Sequence, residues 1–135
     1  MLSGDARLND LSDTIIGGAI DVHRAVGPGL LESAYQACLV HELRTRGLHV
    51  ETQTPLRLVY RDLIVPCAYR LDLVVDGQVV VEVKAVDRLL PIHQAQVMAY
   101  LKLGGYELGL IFNFGAARLA DGLRRIINTK RTSPE

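Results

Sequence analysis

Hydrophobic residues recur at spacings of three and four along residues 8–26 and again along residues 30–46. This spacing places them on one side of a helix, so the first third of the chain is predicted to form two amphipathic helices. The segment Gly27-Pro28-Gly29 separates the two helices, because glycine can adopt a left-handed cap and proline cannot continue a helix. Gly47 is predicted to end the second helix.

From Leu48 onwards the pattern changes to short runs that are rich in β-branched residues, which favour strands. Residues 49–60 are predicted to form an edge or bulged strand, because Pro55 cannot donate to a ladder. Strands are also predicted at residues 63–75, 79–86 and 107–114, a helix from Pro91 to about Leu103, and a last short helix at 117–127. The order is ααβββαβα, in a single domain over residues 1–135 with its core at about 8–128.

The second and third strands are predicted to form a hairpin, because Asp76-Gly77 is a strong turn signal. A two-residue loop would leave Asp72 on the face opposite Glu82, whereas a three-residue loop pairs the two acids. Only the second register collects the apolar side chains on one uninterrupted face, made of Leu71, Leu73, Val75, Val79, Val81 and Val83. Because a one-residue slip would exchange the two faces, we expect the three-residue loop or an equivalent bulge.

The other face of this hairpin is predicted to carry Asp72, Glu82 and Lys84. Charges in a buried, valine-rich strand are costly unless they are paired or bound to a metal. Two carboxylates supply the hard oxygen ligands that Mg²⁺ and Mn²⁺ prefer, and a lysine can steady an attacking water or the charge on a phosphate. The alternative is a buried salt bridge between Lys84 and one acid, which would leave the second acid without a partner.

The spacing from Asp72 through nine residues to Glu82-Val83-Lys84 is similar to the PD-(D/E)xK motif, although Leu71 stands where the motif has proline. Residues 29–35, with the sequence GLLESAY, resemble the signature of the GxxExxY family within the restriction-endonuclease-like nucleases. The resemblance extends over residues 10–127. It implies an α/β fold with a restriction-endonuclease-like core, in which helices flank a central mixed β-sheet, and metal-dependent phosphodiester cleavage.

The resemblance also implies roles for two residues outside the hairpin. Glu32 would join Asp72 and Glu82 as a metal ligand, although an acid in the first turn of a helix also complements the helix dipole. Gln96 would act with Lys84 to orient a water or a phosphate.

Further residues are expected to support the site. Tyr35 follows Glu32 at i+3 and can pack in the core or offer its hydroxyl. Strand alternation places Arg70 on the face of Asp72, where it can contact phosphate. His93 and Tyr100 form one polar stripe with Gln96, and His23, beside Arg24, is expected to face the same cleft.

Composition limits the partners that the chain can bind. The formal net charge is zero, so no large surface for polyanions is indicated. Arginine nevertheless outnumbers lysine 12 to 3, and basic residues crowd the C-terminal end, at positions Arg118, Arg124, Arg125, Lys130 and Arg131. Arginine suits bidentate contact with phosphate, while a basic segment of this kind is also typical of a solvated face.

The cysteines and the apolar runs indicate the compartment in which we expect the protein. Cys38 and Cys67 lack the spacing of a zinc site or a disulfide framework, and we expect free thiols in a reducing cytoplasm. No apolar run is long enough to cross a bilayer, so no membrane partner is expected.

The acidic pair and the lysine indicate a site for a metal and a phosphate, and the resemblance implies that the protein is a nuclease that requires Mg²⁺ or Mn²⁺ and acts on DNA. The alternative is a nuclease-like domain that binds nucleic acid or a protein partner without cutting it, which the neutral charge and the lack of a recognition module favour. A site that had lost its catalytic activity would be expected to lack at least one residue of the set Asp72, Glu82, Lys84 and Gln96, but all four are present. A homodimer or a partner protein is a candidate source of specificity.

Overall fold

A computed structural model describes the backbone of residues 4–129 and the side chains of residues 6–129, so Lys130 and Arg131 lie outside the described residues. Two helices come first, α1 (Gly4–Val26) and α2 (Glu32–Thr45), followed by the strands β1 (Val50–Tyr60), β2 (Leu63–Val75) and β3 (Val79–Lys84). Helix α3 (Pro91–Gly104), strand β4 (Leu108–Asn113), a 3-10 turn (Leu119–Gly122) and strand β5 (Leu123–Ile127) complete the order.

The five strands form one mixed sheet in the order β1-β2-β3-β4-β5. Strands β3 and β4 are parallel and are joined through α3, while every other neighbouring pair is antiparallel. One apolar layer packs α1 and α2 on the sheet, and a second layer packs α3 on the opposite face. The predicted central mixed sheet flanked by helices is therefore confirmed. Within the described residues, no helix has the length and hydropathy of a membrane span.

Strand β1 lies at the edge of the sheet, and its pairing with β2 shifts register between Leu56 and Leu58. Both features agree with the prediction from Pro55. A proline at an edge removes no hydrogen bond that a central strand would need.

The last predicted helix is wrong, because most of residues 117–127 form the 3-10 turn and strand β5. A Cβ atom on Gly122 would lie 2.6 Å from the carbonyl oxygen of Asn113, so the chain passes close to the end of β4. Ile126 is then buried and Ile127 exposed, the alternation of a strand. The edge of β4 supplies the hydrogen-bonding partner, and β-branched isoleucines suit a strand.

The hairpin register agrees with the three-residue prediction, since Leu73 faces Val81 and Val75 faces Val79. Asp76 and Gly77 have positive φ angles of 51° and 65°, and the Gln78 N–H donates to the Val75 carbonyl at 3.0 Å. Gln78 is thus the additional residue that follows a tight two-residue turn. Two consecutive left-handed residues match the right-handed twist of the strands.

The predicted uninterrupted apolar face is wrong at one position. Leu73 and Val75 pack with α1 and α2, but Leu71 packs in the α3 layer, so the alternation of β2 breaks at Asp72. In β1, Gln53 lies between the partners of Leu73 and Leu71 and has a left-handed φ of 54°. This distortion of β1 lies opposite Asp72, where the side chains of β2 change faces. It also coincides with the point beyond which β2 and β3 no longer pair.

Candidate active site

The carboxylates of Asp72 and Glu82 lie between β2 and β3, just beyond the point where these two strands stop pairing. The backbone N–H of Asp72 donates to Oε2 of Glu82 at 2.9 Å, and the backbone N–H of Val83 donates to Oδ2 of Asp72 at 2.9 Å. Each acid therefore bonds the backbone of the opposite strand, where a regular ladder would have used main-chain carbonyls. These bonds hold both carboxylates close together at the sheet.

Glu82 is only 1% exposed, which is unusual for a charged residue. Its Oε1 accepts a hydrogen bond from the Tyr69 hydroxyl at 3.0 Å. Burial, followed by the negative charge of Asp72, raises the pKa of Glu82 to about 7. The bonds from the Asp72 N–H and the Tyr69 hydroxyl, and the charge of Lys84, act in the opposite direction. Glu82 is thus partly protonated at neutral pH in the free protein.

Burial also raises the pKa of Asp72, and the charge of Glu32 acts in the same direction. The Val83 N–H, the charge of Lys84 and the side chain of Gln36 stabilise the ionised form. A cation beside such a pair of acids would stabilise the ionised form of both carboxylates.

Lys84 ends β3 and is half-buried. Its carbonyl accepts a hydrogen bond from the Phe114 N–H at 2.8 Å, which holds its backbone at the end of the sheet. Among the described residues, no ion pair within 4 Å involves Lys84. Its charge nevertheless lowers the pKa of both Asp72 and Glu82. The alternative of a buried salt bridge is therefore not supported, and the ammonium group is close to the acids without being bound to either.

Tyr69 and Tyr100 connect helix α3 to the carboxylates. Their rings stack with centroids 4.0 Å apart and planes inclined by 12°. Burial is the main cause of the raised pKa of both phenols, so both keep their protons and Tyr69 acts as a donor to Glu82. Tyr100 was expected here from the polar stripe of α3. Tyr69 was missed as a site residue, because alternation alone does not show that its hydroxyl reaches Glu82.

Gln36 and Gln53 form a second connection, towards α2 and β1. The Gln53 amide donates to Oε1 of Gln36 at 3.2 Å, and Gln36 contributes to holding the charge on Asp72. Neither residue was predicted. The available signal was the spacing of Glu32 and Gln36, because residues four apart lie on the same face of a helix.

Glu32 begins α2 and is half-buried, as expected for an acid beside the site. In the described part of the chain, however, no three side chains of the metal-binding types converge closely enough to hold an ion. The role of Glu32 as a third ligand stays a prediction. The pair Asp72 and Glu82 still fits Mg²⁺, which commonly binds one or two carboxylates and keeps several waters.

Tyr35 lies away from the acids, in the core. It is fully buried, stacks on Phe114 with centroids 4.6 Å apart, and donates from its hydroxyl to the Gly27 carbonyl at 2.5 Å. The Leu30 N–H donates to the same hydroxyl at 3.1 Å. Tyr35 thus closes the loop that leads into Glu32, and its support of the site is indirect.

Two predicted histidines serve structural contacts. Nδ1 of His93 accepts from the Leu90 N–H at 3.0 Å, which caps the start of α3. His23 is buried and bonds the Ala116 carbonyl through Nε2 at 2.8 Å, so this nitrogen carries the proton. Among the described residues, neither ring has a hydrogen bond or an ion pair with the two carboxylates.

Gln96 and Arg70 are exposed. Gln96 lies one helical turn before Tyr100 on α3, and Arg70 follows Tyr69 on β2. Both border the cluster without a bond to it, and their roles towards phosphate or water stay predictions.

Comparison with known families gives one match, to the PD-(D/E)XK nuclease superfamily over residues 9–126. The match covers most of the chain, from within α1 to within β5. The chain therefore belongs to the PD-(D/E)XK nuclease superfamily. No curated protein and no solved structure matches it.

Proposed function

We propose that this protein is a nuclease that hydrolyses phosphodiester bonds in DNA with Mg²⁺ or Mn²⁺. The observation that carries the proposal is the pair of carboxylates of Asp72 and Glu82, each bonded to the backbone of the opposite strand. A purely structural acid pair gains nothing from being buried beside a like charge, because burial and repulsion both raise its free energy. A bound dication removes that cost.

Asp72 and Glu82 are the residues that would hold the metal, with Glu32 as a charged neighbour. Such an ion supplies Lewis-acid activation of a water and of the phosphate. Lys84 projects from the strand of Glu82 and has no ion-pair partner within the described residues, which leaves its ammonium group able to bind a phosphate oxygen or the attacking water. Tyr69 orients the Glu82 carboxylate through Oε1.

A second function, binding of nucleic acid without cleavage, has one specific observation in its favour. Both oxygens of Glu82 already accept hydrogen bonds, from Tyr69 and from Asp72. In a site that no longer binds a metal, such hydrogen bonds would supply the partners that a buried carboxylate needs.

Cleavage assays on double-stranded DNA, single-stranded DNA and RNA test the proposal, each with Mg²⁺, Mn²⁺ or EDTA. We expect metal-dependent cleavage of DNA, and a loss of at least about 100-fold in Lys84→Ala and Glu82→Gln. Lys102→Ala is the matched control, since Lys102 is exposed in the last turn of α3. If wild type and Lys84→Ala are equally inert on every substrate while both still bind it, the non-cleaving function is correct.

A further inference from the structure

A cleft of about 230 Å³ lies between the end of α1 and the segment that follows β4. Arg24 contributes to one wall and Arg118 to the other, with Ile20 and Leu119 among the apolar residues that line it. The two arginines are 94 positions apart in the sequence, so the fold brings them to one cleft.

Neither guanidinium has a hydrogen bond or an ion pair with another residue in the described part of the chain. Other arginines of the protein are engaged. Arg46 pairs with Asp21 and Glu42, and Arg125 donates to the side chains of Ser12 and Asn9. The helix dipole accounts for a cation such as Arg24 at the end of α1, but it does not account for Arg118 on the facing segment.

The segment that carries Arg118 is held rigidly. His23 donates to the Ala116 carbonyl, and Oδ1 of Asn113 accepts from the N–H groups of Val86 and Gly115 at 3.0 and 3.1 Å. A Cβ atom on Gly115 would lie 2.4 Å from the Val86 carbonyl oxygen, so the two loops touch there. A fixed backbone reduces the entropy that the cleft would lose on binding a ligand.

The cleft and Lys84 lie at the same end of the sheet. The Phe114 N–H bonds the Lys84 carbonyl, and Arg118 follows four residues later. Four residues span at most about 14 Å.

We propose that Arg24 and Arg118 form an anion subsite for a backbone phosphate of the DNA substrate, at the end of the sheet that carries Lys84. This inference rests on the proposed function, because it takes DNA as the ligand. Arginine is the suitable residue, since its planar fork binds phosphate in a bidentate manner. The subsite offsets the absence of a net positive charge by placing together two cations that have no partner among residues 6–129.

The test measures binding apart from cleavage. Fluorescence anisotropy with a labelled DNA duplex is recorded in EDTA, in a Lys84→Ala background, over a series of salt concentrations. We expect the double variant Arg24→Gln/Arg118→Gln to bind about tenfold more weakly, and the slope of log affinity against log salt to fall by about 1 to 2. The double variant Arg24→Lys/Arg118→Lys should keep most of the slope, because the charge is retained.

Arg7→Gln is the matched control, because Arg7 is exposed on the same helix and 17 residues from Arg24, about 25 Å away. An unchanged slope in the Gln double variant, an equal loss in Arg7→Gln, or no DNA binding by the parent protein would each overturn the subsite. Failure of the proposed cleavage is distinguishable, since the protein would then bind DNA with the expected salt dependence and leave it uncut under Mg²⁺ and Mn²⁺.

Discussion

Asp72 and Glu82 face each other across the opening of a hairpin, and the carboxylate of Glu82 accepts the backbone N–H of Asp72 at 2.9 Å. The Asp72 carboxylate accepts the N–H of Val83 in return. The backbones of β2 and β3 therefore hold the two carboxylates in place. The fold keeps the two acids close together although like charges repel. Keeping two acids buried side by side costs free energy of folding.

That cost predicts a dependence of stability on pH. The pKa of Glu82 is raised from 4.5 to about 7, so the folded protein keeps its proton to higher pH than the unfolded chain does. The contribution of Glu82 to the free energy of unfolding should be full below about pH 4.5, should fall as the pH rises through about 7, and should level off only above that pH. The difference between a pKa of 4.5 and one of about 7 corresponds to roughly 3 kcal/mol of stability.

Urea unfolding of wild type and Glu82→Gln in EDTA, at several pH values from 5 to 8, measures this effect. Glutamine resembles the protonated acid, so the difference in stability between the two proteins should grow with pH in favour of the variant. A difference that is constant over this range would show that the Glu82 pKa is not raised.

Tyr69→Phe should raise the pKa of Glu82 further, because the hydroxyl bond favours the charged carboxylate. The pH range in which wild-type stability falls should then move to higher pH, and the protein should lose about 1 kcal/mol from the missing hydrogen bond. The same urea titration measures both effects. Tyr60→Phe, at the exposed end of β1, is the control and should change neither quantity; a shift of equal size in both variants would contradict a specific role for Tyr69.

Tyr35→Phe separates structural support from catalysis. The variant loses the bonds to the Gly27 carbonyl and from the Leu30 N–H, which should cost about 1–3 kcal/mol. Because the ring and its stacking on Phe114 remain, the folded variant should keep metal-dependent cleavage within a few-fold of wild type. A loss of about 100-fold in cleavage, with the unfolding midpoint unchanged, would instead place Tyr35 in the site.

Asn113→Ala should destabilise the end of the sheet. The buried side chain bonds the N–H and the carbonyl of Val86 and the N–H of Gly115, and alanine would leave these groups without that partner. We expect a loss of about 2–4 kcal/mol in thermal or urea unfolding. Gln94→Ala, at an exposed position of α3, should change stability by less than about 0.5 kcal/mol. Equal melting curves for wild type and Asn113→Ala would show that the loops do not depend on this residue.

The elements that could be predicted from the sequence are those whose signal is local. The periodicity of α1 and α2, Pro91 at the start of α3 and the Asp76-Gly77 turn all act within a few residues. The segment that contains β5 was predicted as a helix, because its short apolar pattern fits either period. The free edge of β4 decides between them, and that edge is a feature of the sheet.

The residues of the candidate site also divide into those that a local pattern predicts and those that it does not. Asp72, Glu82 and Lys84 could be predicted because charges in a valine-rich strand are costly, and because only one register satisfied both faces. The contacts of Gln36 and Tyr69 with these acids depend on how α2 and β2 pack, and no pattern along the chain records that. For the same reason, the sequence did not show that the rings of His23 and His93 bond Ala116 and Leu90.

By itself, the sequence determined helices α1 to α3, the hairpin register and the acidic pair, because alternation and periodicity follow from backbone geometry. The tertiary structure decided where β2 turns at Asp72, how deeply Glu82 is buried and which arginines meet in one cleft. Those features arise between segments that are distant in the chain. The physical reason is that burial, electrostatic coupling and convergence are set by neighbours in space, which a local pattern does not specify.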